Sequence, residues 1–310
     1  MKAAKLTANL VAERVFRLCV TGAAAGVVVL FLGLVFLMVA RAWPALSRFG
    51  WGFLVSEHWD PVLEKYGGLP VLFGTLVSST IAMALAAPVG LSVAIFLTEI
   101  VPRRVGKVFA FFVELLAAVP SVVIGLWGIF VLVPFLRAHV YPALKRVFGF
   151  SPLFEGPIYG VGMLTAGILL AIMVVPTVAS LCREVFRVVP RERREAALAL
   201  GATRWEVVRL AVLGSSRAGV FAALILGLGR ALGETMAVTM VIGNRAQITA
   251  SLFAPGQTMA STIANEYAEA TSDLHLAALG EVALVLFAVT LLVNFVARAV
   301  IWKVVGAKRA

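Results

Sequence analysis

Charged residues, cysteine and histidine are all scarce in this sequence of 310 residues. Only 14% of the residues are charged, whereas soluble domains carry about 25%. Two cysteines, Cys19 and Cys182, and three histidines stand at unrelated spacings, so we expect neither a disulfide framework nor a metal site. The lack of charge excludes a soluble globular domain, and a mean hydropathy of +1.00 indicates an integral membrane protein.

Nucleotide-binding and catalytic motifs are also missing. The sequence has no GxxxxGK[ST] phosphate-binding loop, no HExxH motif and no Ser/His/Asp set. Gly227, Gly229 and Gly233 resemble a dinucleotide fingerprint, but the last spacing is wrong and no strand precedes them. We therefore expect no catalytic residue and no cofactor, and any energy for work must come from a partner protein.

Long apolar runs occur at six places, each near or above the roughly 20 residues that a membrane-spanning helix needs. They predict an all-α membrane protein that forms a single membrane domain over residues 1–310. The first run is too long for the apolar part of a signal peptide, so we interpret it as a retained span. We expect Pro88, Pro120 and Pro176 to kink the helices that contain them. The six predicted spans are 16–40, 69–98, 113–136, 158–181, 217–242 and 277–301.

The distribution of basic residues predicts the orientation. Most of the 27 lysines and arginines lie in the N-terminus, the second and fourth loops and the C-terminus. The positive-inside rule then places both termini and the charged loop 190–214 on the cytoplasmic side of a multi-pass membrane protein. The basic residues flank spans without interleaved aromatics, so contact with anionic lipids is favoured over nucleic acid.

The charged loop 190–214 has the signals of two short helices. Pro190 suits a first helical position, and Gly201 is expected to end the helix in the left-handed conformation. Thr203 followed by Glu206 predicts a capping box at the start of a second helix. We expect Gly214 to break this second helix before the fifth span.

The predicted fifth span carries two charged side chains, Arg230 and Glu234, inside the membrane. Spaced four residues apart, they would share one helical face. Exposure to lipid would cost each at least ~2.5 kcal/mol, so they must face a bundle interior or a water-filled path. Two interpretations stay open, a substrate path and a purely structural ion pair. Gly229 and Gly233 would allow another helix to pack closely.

Glu114 is a third candidate for the substrate path. It stands near the start of the predicted third span, where a carboxylate could equally lie in the cytoplasmic interface. Intramembrane carboxylates are often functional, so a place for Glu114 on the substrate path stays open.

Several segments resemble a known family of membrane proteins. The pattern Glu-Ala-Ala-x-x-x-Gly at 195–201 is similar to the coupling loop of importer-type ABC permeases. The run GRALGETMAVTMVIGN (229–244) narrows the resemblance to the PstC family of phosphate-importer permeases, because the related PstA subunits continue differently after the Gly-Glu-Thr core. The other resembling runs are 115–132, 189–208 and 258–270.

The resemblance implies a type I ABC importer permease fold with six transmembrane helices. The core would cover about 69–301, with 16–40 as an additional N-terminal span and 190–214 as the coupling loop. The family motif usually ends in Ile-x-Leu-Pro, whereas Gly214 stands at the last of these positions here. Contact with the ATPase is implied for Glu195, Ala196, Ala197, Gly201, Thr203 and Trp205.

The resemblance also implies a location in the bacterial inner membrane, a set of partners and a cargo. The partners would be a second, PstA-like permease subunit, a PstB-like ATPase dimer and a PstS-like phosphate-binding protein outside the cytoplasm. Arg230 would donate charge-assisted hydrogen bonds to phosphate, and Glu234 would prevent the anion from being held too tightly.

Three alternatives remain beside a phosphate permease. The first is a permease for another oxyanion, such as sulfate, molybdate or tungstate. The second is a membrane-embedded enzyme, which would need clustered nucleophiles, bases or metal ligands at one depth. The third is a sensory protein that binds an ATPase without transport.

Overall fold

The computed structural model describes residues 2–306, and within this range the side chains of all residues except 2–12, 103, 300, 301 and 303–306. The described chain is almost entirely helical. An isolated antiparallel bridge between Asp60 and Lys65 lies in the loop after the first helix. The all-α prediction is confirmed.

Six helices in the described range are long and apolar enough to cross a membrane, as the sequence predicts. The helix that contains the first span runs from Lys2 to Phe49 and continues as a 3₁₀ turn, Gly50–Leu54. We number the spans in chain order. Their bounds are Glu13–Leu54, Leu69–Ile100, Ser121–Phe148, Met163–Arg187, Arg204–Gly233 and Asp273–Ala299.

The third span begins later than the sequence predicts. The predicted span 113–136 starts within a separate helix, Arg103–Ala117, which we call the interfacial helix. Pro120 has extended backbone (ψ 137°), and the third span starts anew at Ser121. Proline disfavours a helical conformation in the residue before it, so Pro120 separates two helices instead of kinking one. Pro88 and Pro176 lie inside unbroken helices.

The fourth span is the centre of the bundle. It is the most buried of the six spans, and glycines allow the second span to approach it closely. A Cβ atom at Gly167 would lie 2.5 Å from Ile81 Cγ2, and one at Gly90 would lie 2.9 Å from Val178 Cβ. Because only glycine fits at these distances, the two spans form a rigid central pair.

The first span lies at the edge of the bundle and packs against the last. Phe31 and Phe287 have ring centroids 5.9 Å apart, and Gly280 faces the backbone of Ala42. Most other side chains of the first span are exposed and apolar. Such a surface suits lipid.

The loop between the fifth and sixth spans folds back onto the bundle through a helix, Met259–Glu266. The Met259 backbone N–H donates to Thr75 Oγ1 of the second span at 2.9 Å. Glu266 accepts a hydrogen bond from Trp59 Nε1 at 2.8 Å and lies 3.0 Å from His275 Nε2. These contacts fix the loop to the second and sixth spans.

Candidate functional site

The helix of the fifth span breaks inside the predicted span 217–242. The helix ends at Gly233, Glu234 adopts an extended conformation (ψ 128°), and a short helix, Met236–Ile242, follows. Glu234 therefore does not continue the helical face of Arg230, and the prediction of a shared face is wrong. Irregular backbone at membrane depth is tolerated where it lines a cavity or is buried in protein.

Arg230 and Glu234 do not form an ion pair within the described part of the chain. Arg230 Nη1 instead donates to Thr177 Oγ1 of the fourth span at 3.3 Å. Glu234 Oε1 accepts from the Ala237 backbone N–H at 3.4 Å, at the start of the short helix. A guanidinium has five N–H donors, so most of those on Arg230 are available to another ligand.

The surface beside the break is open. A Cβ atom at Gly229 or Gly233 would meet nothing within 4 Å, whereas one at Gly227 would lie 2.8 Å from Val178 Cγ2. Gly227 is thus the glycine that packs against another helix of this chain. The expectation that Gly229 and Gly233 do so is wrong within this chain.

Two short helices meet next to the break. A Cβ atom at Gly125, in the segment Ser121–Trp127, would lie 2.5 Å from Met240 Sδ and 3.0 Å from Ala237 Cα. Ala237 and Met240 belong to the short helix Met236–Ile242. The break of the fifth span is therefore held against the start of the third span.

Glu114 lies on the interfacial helix. It accepts a hydrogen bond from Arg183 Nη2 at 2.7 Å. Arg183 is buried, with 8% of its side chain exposed, and also contacts Glu184 at 3.0 Å. Among the described residues no hydrogen bond joins Glu114 to Arg230 or Glu234. Its geometry is that of a carboxylate that neutralises a buried cation between two helices.

The first helix of the charged loop spans Arg191–Ala199, and we call it the loop helix. It begins one residue after Pro190, which is its N-cap. Gly201 has φ +83°, and its N–H donates to the Leu198 carbonyl while the Ala202 N–H donates to the Ala197 carbonyl. This pair of bonds is a Schellman motif. The predicted glycine stop is confirmed.

The predicted capping box is also present. Thr203 Oγ1 accepts from the Glu206 N–H, and Glu206 Oε2 accepts from the Thr203 N–H at 2.7 Å. The helix that starts at Arg204 continues to Gly233. Its segment Val207–Leu213 has π-helical hydrogen bonding and joins the α-helix at Gly214 without a break. The expected hinge at Gly214 is wrong, because a helix accommodates glycine at modest cost.

The residues expected to contact an ATPase lie on the accessible side of this loop. Glu195, Ala196, Gly201 and Thr203 are exposed, and Ala197 is partly buried. Trp205 has 63% of its surface exposed. Aromatic side chains are enriched at protein–protein interfaces, so Trp205 is the residue of this set whose exposure favours contact with another protein.

An ion pair anchors the loop helix to the second span. Arg194 Nη2 and Nε donate to the two carboxylate oxygens of Glu99 at 2.8 and 3.1 Å. The same guanidinium donates to the backbone carbonyls of Phe186 and Val189. Only 11% of the Glu99 side chain is exposed. The loop helix is thereby tied to the ends of both central spans.

Thr177, Glu99, Arg194 and Arg183 were not predicted as part of either site. For Thr177 the sequence gives a weak signal, because this hydroxyl residue directly follows Pro176 in an apolar span. Glu99 and Arg194 are separated by 95 residues, so no local spacing connects them. No group of three or more His, Cys, Asp or Glu side chains that could hold a metal occurs in the described range.

Comparisons with known proteins agree with this geometry. Residues 86–304 match the family model described as binding-protein-dependent transport system inner membrane component. The phosphate transport system permease protein PstC of Mesorhizobium japonicum is 45% identical over 94% of this chain and 90% of its own length. The protein of the same name from Haemophilus influenzae is 43% identical over 89% of each chain.

A similar fold occurs in a solved structure titled as inward-facing conformations of the MetNI methionine ABC transporter. The similarity covers 77% of this chain and 94% of the other, with a TM-score of 0.53 and 17% identity. At this identity the likeness concerns the fold alone. The six-span bundle with its paired-helix loop is therefore the fold of an ABC importer permease.

The class follows from the bundle, the broken span and the loop: this is a multi-pass permease component of an ABC importer. The family match and the similarity to curated relatives make the assignment narrower. The chain belongs to the binding-protein-dependent transport inner membrane component family and, within it, to the PstC phosphate transport system permease proteins.

Proposed function

We propose that this chain is one of two permease subunits of an ATP-driven phosphate importer and forms half of the translocation path. The observation that carries the proposal is the position of Arg230. Its guanidinium lies beside a helix break in a membrane span, and among the described residues it donates to a single hydroxyl, that of Thr177. A partly buried cation with unused donors inside a membrane span suits an anionic substrate.

The guanidinium fork of Arg230 matches the oxygen geometry of phosphate. Two parallel charge-assisted hydrogen bonds give both affinity and orientation. Thr177 holds one terminal nitrogen, which fixes the plane of the fork. The irregular backbone at 233–235 and the open faces of Gly229 and Gly233 leave space for the ion.

Glu234 makes the site one that phosphate can leave. Its carboxylate accepts a hydrogen bond from the Ala237 N–H at the start of the short helix and forms no ion pair with Arg230. A negative charge near the bound anion weakens binding, and conduction needs a site that attracts the ion without trapping it. Glu114 acts outside this site, as the counter-charge of Arg183.

The loop 190–214 connects the permease to a separate ATPase. Glu195, Ala196, Ala197, Gly201, Thr203 and Trp205 form the contact surface with a PstB-like dimer. ATP binding would move the loop helix, and the Glu99–Arg194 pair would pass this movement to the second span. A PstA-like subunit supplies the other half of the path, and a PstS-like protein delivers phosphate from outside. Both termini and this loop are cytoplasmic on this proposal.

Transport assays with the assembled complex test the cargo. Proteoliposomes that contain this chain with its partner subunits should take up labelled phosphate when ATP is supplied on the side of the loop. Excess sulfate, molybdate or tungstate should leave that uptake largely unchanged. Uptake of labelled sulfate or molybdate in place of phosphate would favour the other oxyanion permeases. ATPase binding without any flux would favour a sensor.

A further inference from the structure

A basic cavity lies between the interfacial helix and the loop helix. It has a volume of about 440 Å³. Charged residues from four elements line it: Glu99 at the end of the second span, Lys107 of the interfacial helix, Arg187 at the end of the fourth span, and Arg191 and Arg194 at the start of the loop.

The charges around the cavity do not cancel. Glu99 and Arg194 neutralise each other through their two hydrogen bonds. Arg187 is paired with Glu184 at 3.1 Å. Neither Lys107 nor Arg191 has an ion-pair partner among the side chains that the structure describes. The cavity thus has an excess of positive charge and suits a ligand with a negative group.

The surface next to the cavity is apolar. Lys107 and Phe111 are four residues apart on the interfacial helix, so they share a face. Phe111 is 59% exposed and contacts the ring of Phe112, which is 58% exposed, with ring centroids 5.9 Å apart. A free inorganic anion would use only the charges. A phospholipid would use both features, because its phosphodiester fits the basic cavity and its acyl chains fit the phenylalanines.

We propose that this cavity binds the headgroup of an anionic phospholipid from the cytoplasmic leaflet, with the acyl chains along Phe111 and Phe112. The proposal rests on the proposed function only for the orientation of the loop, and it is independent of the cargo. A lipid in this place contacts the interfacial helix and the loop helix at once. It therefore braces the loop helix against the bundle beside the Glu99–Arg194 pair.

Lipid binding to the purified full-length chain tests the proposal. Phosphatidylglycerol or phosphatidylcholine is titrated against the chain in detergent, and bound lipid is counted by native mass spectrometry. We expect one retained phosphatidylglycerol and no comparable retention of phosphatidylcholine. Removal of both unpaired cations in Lys107→Gln/Arg191→Gln should weaken phosphatidylglycerol binding by roughly fivefold per charge.

Matched variants distinguish the cavity from general surface charge. Arg104→Gln/Arg193→Gln removes two exposed cations from the same two helices, outside the cavity lining. It should retain the lipid, as should the charge-conserving variant Lys107→Arg/Arg191→Lys. Equal losses in the two glutamine variants would overturn the proposal. Displacement of phosphatidylglycerol by excess inorganic phosphate would overturn it in favour of a phosphate site. Because no uptake is measured, a failed phosphate-transport assay would leave this result unaffected.

Discussion

The Arg194 guanidinium reaches from the loop helix to Glu99, near the end of the second span, with N–O distances of 2.8 and 3.1 Å. The pair is largely shielded from water. Two further hydrogen bonds to the carbonyls of Phe186 and Val189 fix the same guanidinium to the end of the fourth span. A force on the loop helix therefore reaches both central spans through one side chain.

Glu99→Gln should uncouple ATP hydrolysis from transport. The amide cannot accept two charge-assisted bonds, and it leaves the partly buried Arg194 without its counter-charge. We expect phosphate uptake to fall severalfold while the ATPase still binds and hydrolyses ATP. The measurement is the ratio of phosphate transported to ATP hydrolysed in proteoliposomes.

The reversed pair provides the control. Glu99→Arg/Arg194→Glu restores the attraction but not the bonds to the Phe186 and Val189 carbonyls, so it should recover part of the coupling ratio. A normal ratio in Glu99→Gln, or no recovery in the reversed pair, would contradict a role for this contact in coupling.

Gly201 should tolerate asparagine but not valine. Its φ of +83° is open to asparagine, whereas a β-branched side chain there is strongly disfavoured. A Cβ atom at this position would meet no neighbour within 4 Å, so the effect comes from the backbone alone. We expect near-normal phosphate uptake for Gly201→Asn and little for Gly201→Val, with both proteins inserted in the membrane.

Gly214→Ala is the matched control for this loop. The helix passes through Gly214, and a new Cβ atom would lie at ordinary contact distance, 3.6 Å from the Arg209 carbonyl oxygen. Alanine is favoured over glycine in a helix by about 1 kcal/mol. Uptake should therefore be unchanged. A strong loss would instead indicate a hinge at Gly214.

The sequence predicts local features well. The stop at Gly201 and the capping box at Thr203 depend on residues a few positions apart, and both are present. The six spans follow from apolar length alone. The start of the third span was misplaced because the interfacial helix is also apolar on one side, and hydropathy does not show that Pro120 ends it.

Contacts between distant residues could not be predicted in this way. The spacing of Arg230 and Glu234 indicates a shared face only if the helix is unbroken, and it ends at Gly233. Gly227, Gly229, Gly233 and Thr235 are compatible with either a continuous or a broken helix. Which one forms depends on packing against Gly125 of the third span, which one sequence does not reveal.

The orientation can be tested with single cysteines at exposed positions. In a chain with Cys19 replaced by serine, we expect Glu57→Cys and Phe150→Cys to react with an impermeant thiol reagent added outside intact cells. Leu200→Cys should react only after the cells are opened. All three positions are exposed in the structure, so burial does not explain a difference. Labelling of Leu200→Cys in sealed cells would reverse the proposed orientation.

Thr177 should act as a positioning residue for Arg230. Thr177→Val removes the oxygen that accepts from Arg230 Nη1 and conserves the side-chain shape. We expect the phosphate concentration for half-maximal uptake to rise by about fivefold, the value of one modest hydrogen bond. Thr177→Ser keeps the oxygen, so this concentration should stay close to that of the unmodified chain. Equal losses in both variants would indicate a packing role instead.

Arg230→Lys should separate the geometry of the fork from its charge. Lysine keeps the positive charge but cannot form two parallel hydrogen bonds. Loss of one charge-assisted bond predicts roughly tenfold weaker phosphate binding. Assembly with the partner subunits should persist, because Arg230 forms no ion pair with any side chain that the structure describes. A variant that no longer assembles would indicate that Arg230 is structural.

Glu234→Gln and the double variant Arg230→Met/Glu234→Met test the division of roles between the two charges. With glutamine at 234 the repulsion of a bound anion is removed, so phosphate should bind more tightly and leave more slowly. The phosphate concentration for half-maximal uptake and the maximal rate of uptake should then both fall. The double variant removes both charges and should assemble, because the structure shows no ion pair between them and each has a single hydrogen bond to replace. Its phosphate uptake should be close to background. An assembled double variant with near wild-type uptake would rule out this break as the phosphate site.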